Sequence, residues 1–175
     1  MAVRNCRDIG ENLQKIVTRL MANNTLVKLL YYNDPDPLNK EDLTEEEKKT
    51  EIFNKLIRIV PKVTTHETTQ SIVAIRVPSG VRIASNKEFR VITVSIEVFV
   101  PWDQWIFRNS NLRPFAILGE IQDSLEGKTI NGLGKIEGGD FVLTTVTDEV
   151  AGYEQTFRIT TYDWSKCFLR VTSWI

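Results

Sequence analysis

Gly127, Lys128 and Thr129 spell the end of a phosphate-binding loop, which makes them the first place in this 175-residue chain to look for chemistry. The Walker pattern needs another glycine five residues before the Gly-Lys pair, and that position holds Gln122. The context is also reversed. A phosphate loop leads into a helix whose free amides meet the anion, whereas Gly127 follows a helical run and faces that helix's negative end. The three residues read instead as a helix cap followed by a glycine-rich turn. His66 is the only histidine, set among threonines in VTTHETT, so it reads as part of a polar loop and a multi-histidine zinc site is excluded. Cys6 and Cys167 have neither a metal-ligand spacing nor a histidine beside them in sequence, which leaves only a pairing in space for a thiol nucleophile. Asp34, Asp36 and Asp42 offer oxygens to a hard cation but lack EF-hand spacing, and a turn rich in Asp and Pro accounts for them better. No catalytic residue, cofactor site or metal site is predicted.

The residues that stand out are aromatic. Trp102, Trp105 and Phe107 fall in PWDQWIF, followed closely by Arg108 and Arg113. Tryptophan and arginine are enriched where proteins bind one another. Two readings stand side by side: these rings close a sheet over a helix, or they form a contact with another chain. Trp164 and Trp174 pose the same question near residue 175, where an alternating segment is suited to adding to a neighbour's sheet edge.

The elements that position these residues are legible in the hydrophobic pattern. Ile92, Val94, Ile96, Val98 and Val100 alternate with Thr93, Ser95 and Glu97, predicting a long strand with one face on a core and the other toward water or a partner, ending at Pro101. Pro114 opens a helix to Glu126 on the stripe Ile117, Leu118, Ile121 and Leu125, and Gly127 caps it. Ile9, Leu13, Ile16, Val17 and Leu20 predict an N-terminal amphipathic helix from Asp8 to Ala22, and Asn24 is expected to cap a second, short one. Thr44 and Glu47 have capping-box spacing, so a charged helix is expected from Thr44 to Leu56. IRIVPKV reads as a short edge strand and Ser71 to Val77 as an interior one, with a turn at Pro78-Ser79-Gly80 before Val81 to Ser85 pairs back. Asp140 to Thr147 and Tyr153 to Tyr162 complete the strands as a hairpin with Gly152 at the end of its connection. The order is that of an α+β fold with a mostly antiparallel sheet, packed by the N-terminal helix and the helix near 114–126 and carrying a helical segment near 42–57.

Composition narrows the function. Twenty-two basic residues nearly cancel 23 acidic ones, so no broad field draws the chain to nucleic acid or a membrane surface. No apolar leader or membrane-spanning run is visible, so synthesis in a cytoplasm with both cysteines reduced is expected.

From Ser71 to Tyr162 the segments QSIVAIRV, FRVITVSIEVFV, FAILGEIQDSLEG, KTINGLGKI, FVLTTVTDEV and YEQTFRITTYD resemble in order the tail terminator, or tail completion, proteins of long-tailed bacteriophages. The likeness covers roughly the last hundred residues and, in addition, the first helix. It implies a single domain over 1–175, with 34–61 as an insertion and 164–175 as an extension. It also implies a virion protein of the tail or neck, one of usually six subunits in a ring that ends the tail tube and joins it to the head. The implied partners are other copies of the chain, the tail-tube protein and a neck or connector protein, with the tail sheath as a further candidate and DNA passing through unread. A ring needs contacts between two different patches on each subunit. The expected patches are the loop carrying Trp102, Trp105, Phe107, Arg108 and Arg113, and the loop carrying Lys128, Asn131 and Lys135, with Trp174 in addition. Alternatives are another neck or tail-completion component, a cellular adaptor or adhesin subunit, and a small catalytic or nucleotide-binding domain. The last would show itself as a pocket with convergent titratable groups.

Overall fold

A computed structural model describes residues 6–60, 69–86, 89–145, 147 and 149–162. His66, Trp164, Cys167, Trp174 and the 164–175 extension lie outside the described residues, as does the part of IRIVPKV from Pro61 onward.

The fold is α+β. Six strands, β1 (Ile57–Ile59), β2 (Ile72–Arg82), β3 (Phe89–Pro101), β4 (Thr129–Ile130), β5 (Gly134–Thr145) and β6 (Val150–Tyr162), form one sheet in the order β1-β2-β3-β6-β5-β4. Every neighbouring pair is antiparallel except β1 with β2. The helices are α1 (Cys6–Met21), α2 (Asn24–Tyr31), α3 (Glu45–Glu47, continuing as a π turn over Lys48–Ile52) and α4 (Arg113–Leu125).

The alternation in β3 puts Ile92, Val94, Ile96, Val98 and Val100 on one face, in register with Ile159, Phe157, Gln155, Tyr153 and Ala151 of β6. That face is buried under the apolar stripes of the helices: Leu13, Ile16 and Leu20 of α1, Leu26 and Leu30 of α2, and Ile117, Ile121 and Leu125 of α4 share its core cluster. Burial of such a side chain is worth about 1.5–3 kcal/mol, so the stripes rather than helix propensity hold the helices in place. The other face of β3 is not open to water as the alternation suggests. Ser95 and Glu97 are buried there because Arg76 of β2 reaches across to both and to Glu154 of β6, which also accepts from the Ser95 hydroxyl.

Several boundaries differ from the pattern-based expectation, each for a local reason. The helix expected from Thr44 to Leu56 has its capping box, but its α-helical part ends at Glu47 and a π turn carries the chain to Ile52. Asn23, not Asn24, caps α2, its side-chain oxygen accepting from the Leu26 amide at 3.1 Å. Pro78-Ser79-Gly80 makes no turn. β2 runs through it on a bulge between Arg76 and Ser79, where β1 no longer flanks the strand and a proline leaves no ladder bond unmade. Gly152 lies inside β6, paired with Phe99, not in the hairpin connection; it is glycine because a Cβ there would stand 1.7 Å from the Val98 carbonyl oxygen. Lys128 to Lys135 is not an open loop but the β4–β5 hairpin.

A second bulge, between Gly138 and Phe141, decides which side chains β5 shows to the helices. Gly138 pairs with Phe157 and Phe141 with Gln155, so two residues, Gly139 and Asp140, stand against Thr156 alone. One extra residue inverts the alternation beyond it. Phe141 and Leu143 therefore join Tyr153 on the helical side, where an unbroken strand would have placed Asp140 and Val142.

Candidate interaction surface

Pro101 ends the β3 ladder, and Trp102–Gln104 closes into a single 3₁₀ turn. The turn brings the Trp102 and Trp105 rings into a stack, 5.2 Å between centroids and 11° between planes. Trp105 is anchored: its indole Nε1 donates to the Val100 carbonyl at 2.9 Å, and it packs on the core. Trp102 lies outside it and is 57% exposed. From Trp105 the ring contacts continue to Tyr153 at 6.4 Å, and Tyr153 touches both Phe115 of α4 at 4.7 Å and Phe141 of β5 at 5.9 Å. Phe115 and Phe141 meet edge to face at 6.2 Å. Phe141 and Leu143 are 54% and 61% exposed. Five rings from a turn, a helix and two strands thus form one connected strip, its inner rings seated on the core and its outer rings in solvent.

The rest of the expected loop has different work. Phe107 is half-buried, with its amide donating to the Asn111 carbonyl, and Ser110 takes a positive φ of 66° to close that turn. Arg108 is exposed and reaches Asp36 at 3.0 Å, while its amide donates to the Pro35 carbonyl. Arg113 is not available to another chain. It is 1% exposed, and its guanidinium donates to the carbonyls of Leu29, Tyr32, Asp34 and Gln104 at 2.6–3.0 Å. Leu29 and Tyr32 lie at the C-terminal end of α2, where carbonyls lack helical partners and the dipole favours a cation. Arg113 starts α4 but caps α2. Its burial draws its pKa down from 12.5 to about 10, against the pull of Asp34 and Asp103, so it stays charged at neutral pH.

Lys128, Asn131 and Lys135 are exposed on the β4–β5 hairpin. The hairpin is docked on α1, where Lys15 Nζ donates to the Asn131 carbonyl at 2.6 Å and the Asn12 side chain to the Gly132 carbonyl at 3.1 Å. Lys135 pairs with Thr160 of β6, while the tryptophan turn begins where Pro101 meets Val150. Ten residues of strand, roughly 33 Å, separate the two patches, so they occupy opposite ends of the sheet.

Phe115, Phe141, Leu143 and Tyr153 escaped the sequence reading. Phe115 sits beside the helix stripe rather than in it, and the two β5 residues depend on the bulge. The run Phe141-Val142-Leu143, apolar on both faces of a strand, was the available signal.

An open cavity of about 200 Å³ lies between the Pro35–Asn39 turn and Phe107 and Asn109. Asp36 is its only ionisable lining residue and is already engaged by Arg108. Among the described residues no three His, Cys, Asp or Glu side chains gather as metal ligands, and no helix is long and apolar enough to cross a membrane.

The family model described as YomW matches residues 23–159, which span α2 through nearly all of β6. The chain belongs to the YomW family. The matched range takes in the full aromatic strip, the Arg113 clasp and the β4–β5 hairpin of this YomW family member, leaving out α1. No protein of curated function matches the chain.

Proposed function

We propose that the chain is a structural subunit of a bacteriophage tail end or neck, assembling as a ring that terminates the tail tube and joins it to the head. The observation that carries the reading is the exposed aromatic strip of Trp102, Phe115, Phe141 and Leu143, seated on a rigid core through Trp105 and Tyr153. Monomeric proteins rarely leave so many contiguous large apolar groups in water, and rings of this kind anchor interfaces between proteins. Further support comes from the phage-derived character of the YomW family and from the second patch, Lys128, Asn131 and Lys135, at the opposite end of the sheet. Contacts between unlike patches are what close a ring.

The test is a paired substitution in the phage or prophage that encodes the chain, Trp102→Ser with Phe141→Ser. Both positions are more than half exposed, so the subunit is expected to fold with an unchanged melting curve. Virion preparations are expected to contain unjoined heads and tails, with the wild-type chain found in intact particles by mass spectrometry. Absence of the wild-type chain from purified virions would end this reading, and so would normal particles from the variant.

A further inference from the structure

We propose that the β4–β5 hairpin of one copy of this chain seats on the tryptophan end of a second copy, with Lys128 and Lys135 meeting Asp103 and Glu149 beside Trp102. The inference rests on the self-assembly part of the reading above, names the two surfaces that mate, and does not need the virion.

The acceptor side begins with Trp102. One face of its ring is covered by Trp105, stacked at 11°, and the residue is still 57% exposed, which leaves the other face to solvent. Two acids accompany it. Asp103 follows it in the 3₁₀ turn, and the carbonyl of Glu149 accepts from the Trp102 amide at 3.0 Å. Both are exposed, and neither forms an ion pair among the described residues. Cations nearby are engaged elsewhere: Arg108 with Asp36, Lys40 with Asp34, and Arg113 buried with its guanidinium on backbone carbonyls. What remains is an open ring face beside two unneutralised carboxylates. Such a setting attracts an ammonium group twice over, by the charge of the acids and by the negative face of the indole.

The donor side supplies that group. Lys128 and Lys135 are exposed and also form no ion pair among the described residues. Acids near them are occupied, since Glu126 accepts from Gln122 and Glu137 stands opposite Arg158 in the ladder. The hairpin is rigid before it meets anything. The Ile136 amide donates to the Lys128 carbonyl and the Ile136 carbonyl accepts from the Gly127 amide, both at 2.9 Å, and the Leu133 amide closes the turn on the Ile130 carbonyl at 3.0 Å. With α1 holding the tip through Lys15 and Asn12, docking has only the lysine side chains to order. Their stems cover apolar surface while the heads reach the carboxylates.

The two surfaces lie at opposite ends of one sheet, roughly 33 Å apart, so a chain cannot bring its hairpin to its own tryptophan end. A second copy can. Each copy then gives a hairpin and receives one, the head-to-tail contact that closes a ring.

The test couples carboxylates directly to lysines with a carbodiimide in a mixture of isotopically heavy and light wild-type chain. The expected products are amides joining Asp103 or Glu149 of one chain to Lys128 or Lys135 of another, and the separation of the two ends forbids them within a chain. Two variants then ask whether charge drives the contact. The first carries Asp103→Asn with Glu149→Lys, asparagine being chosen so that no second cation is set near Arg113; the other carries Lys128→Glu with Lys135→Glu. All four positions are exposed, so both variants are expected to keep the wild-type melting curve. In sedimentation velocity at low salt, each variant alone is expected to self-associate at least about tenfold more weakly than wild type, because charges of one sign now face each other. An equimolar mixture is expected to regain association, since every hairpin then finds a surface of opposite charge. Absence of these interchain amides would overturn the proposal, and so would a mixture that associates no better than its parts. Interchain amides in a protein missing from virions keep this inference and end the virion reading. Virions that contain the protein, with no such amides formed, do the reverse.

Discussion

Replacing Arg113 with methionine keeps most of the side chain's length and apolar volume while removing its five donors. The carbonyls of Leu29, Tyr32, Asp34 and Gln104 then face a thioether. Hydrogen bonds from a charged group contribute about 1.5–3 kcal/mol each, which sets an upper bound of roughly 6–12 kcal/mol for the four. Two effects reduce it. The variant no longer buries a cation, the cost that draws the Arg113 pKa down, and Tyr32 and Asp34 are half-buried, so water can replace part of what is lost. A net loss of about 3–5 kcal/mol remains, the range found when a buried charged partner is removed. With a urea slope of about 2 kcal/mol per molar, the midpoint falls by roughly 1.5–2.5 M at unchanged slope. Arg113→Lys, which keeps the charge but not the planar fork, is expected to fall between. The comparator is Arg108→Glu, which breaks one exposed pair with Asp36 and should cost less than about 1 kcal/mol. A midpoint for Arg113→Met within about 0.3 M of wild type would refute the clasp, since that shift corresponds to well under 1 kcal/mol.

Two further outcomes follow from the packing and the charges. Ile121 has no exposed surface in the middle of the α4 stripe, so Ile121→Ala should lower stability by about 2–5 kcal/mol in the same urea titration; little change would mean that α4 is not packed as described. Burial raises the pKa of Glu97 above its ordinary 4.5; Arg76 opposes the shift and Glu154 adds to it. A folded-state pKa that is raised contributes stability fully present below the unfolded value and lost as pH rises through the folded value. Glu97→Gln should therefore be at least as stable as wild type at pH 7, and its advantage should shrink as pH falls toward 4.5, read from melting temperatures across that range. An advantage that grows on acidification would contradict the sign.

The parts of the fold that could be read from sequence are those whose determinants are local. The alternation from Ile92 to Val100 and the stripe Ile117, Leu118, Ile121 and Leu125 each record one buried face, and both are buried as read. The Thr44–Glu47 capping box needs only three residues of spacing. What escaped depends on distant partners. Pro78 reads as a turn until β3 is seen running past it, and Gly152 reads as a loop residue until the Val98 carbonyl is placed against it. Arg113 reads as a surface charge because nothing nearby in sequence shows that four carbonyls, three of them near residues 29–34, converge on its side chain. For the candidate surface, the tryptophans were legible by composition. Their continuation through Tyr153, Phe115 and Phe141 was not, because a single inserted residue in β5 sets which of its side chains join them.

The strand order has a consequence for how the chain comes off the ribosome. β6 sits between β3 and β5 at the centre of the sheet, yet every other described element precedes it in the sequence. While it is still being made, β2 and β3 can pair as one hairpin and β4 and β5 as another, but no strand joins them, and one side of β3 and one side of β5 stay bare. Non-local pairing of this kind is slow, and unpaired strand edges are where nascent chains stick to one another. Completion is therefore a single late event, the insertion of β6 as the keystone between two waiting halves. A chain cut short anywhere within Val150–Tyr162 loses the join between them, not a dispensable edge.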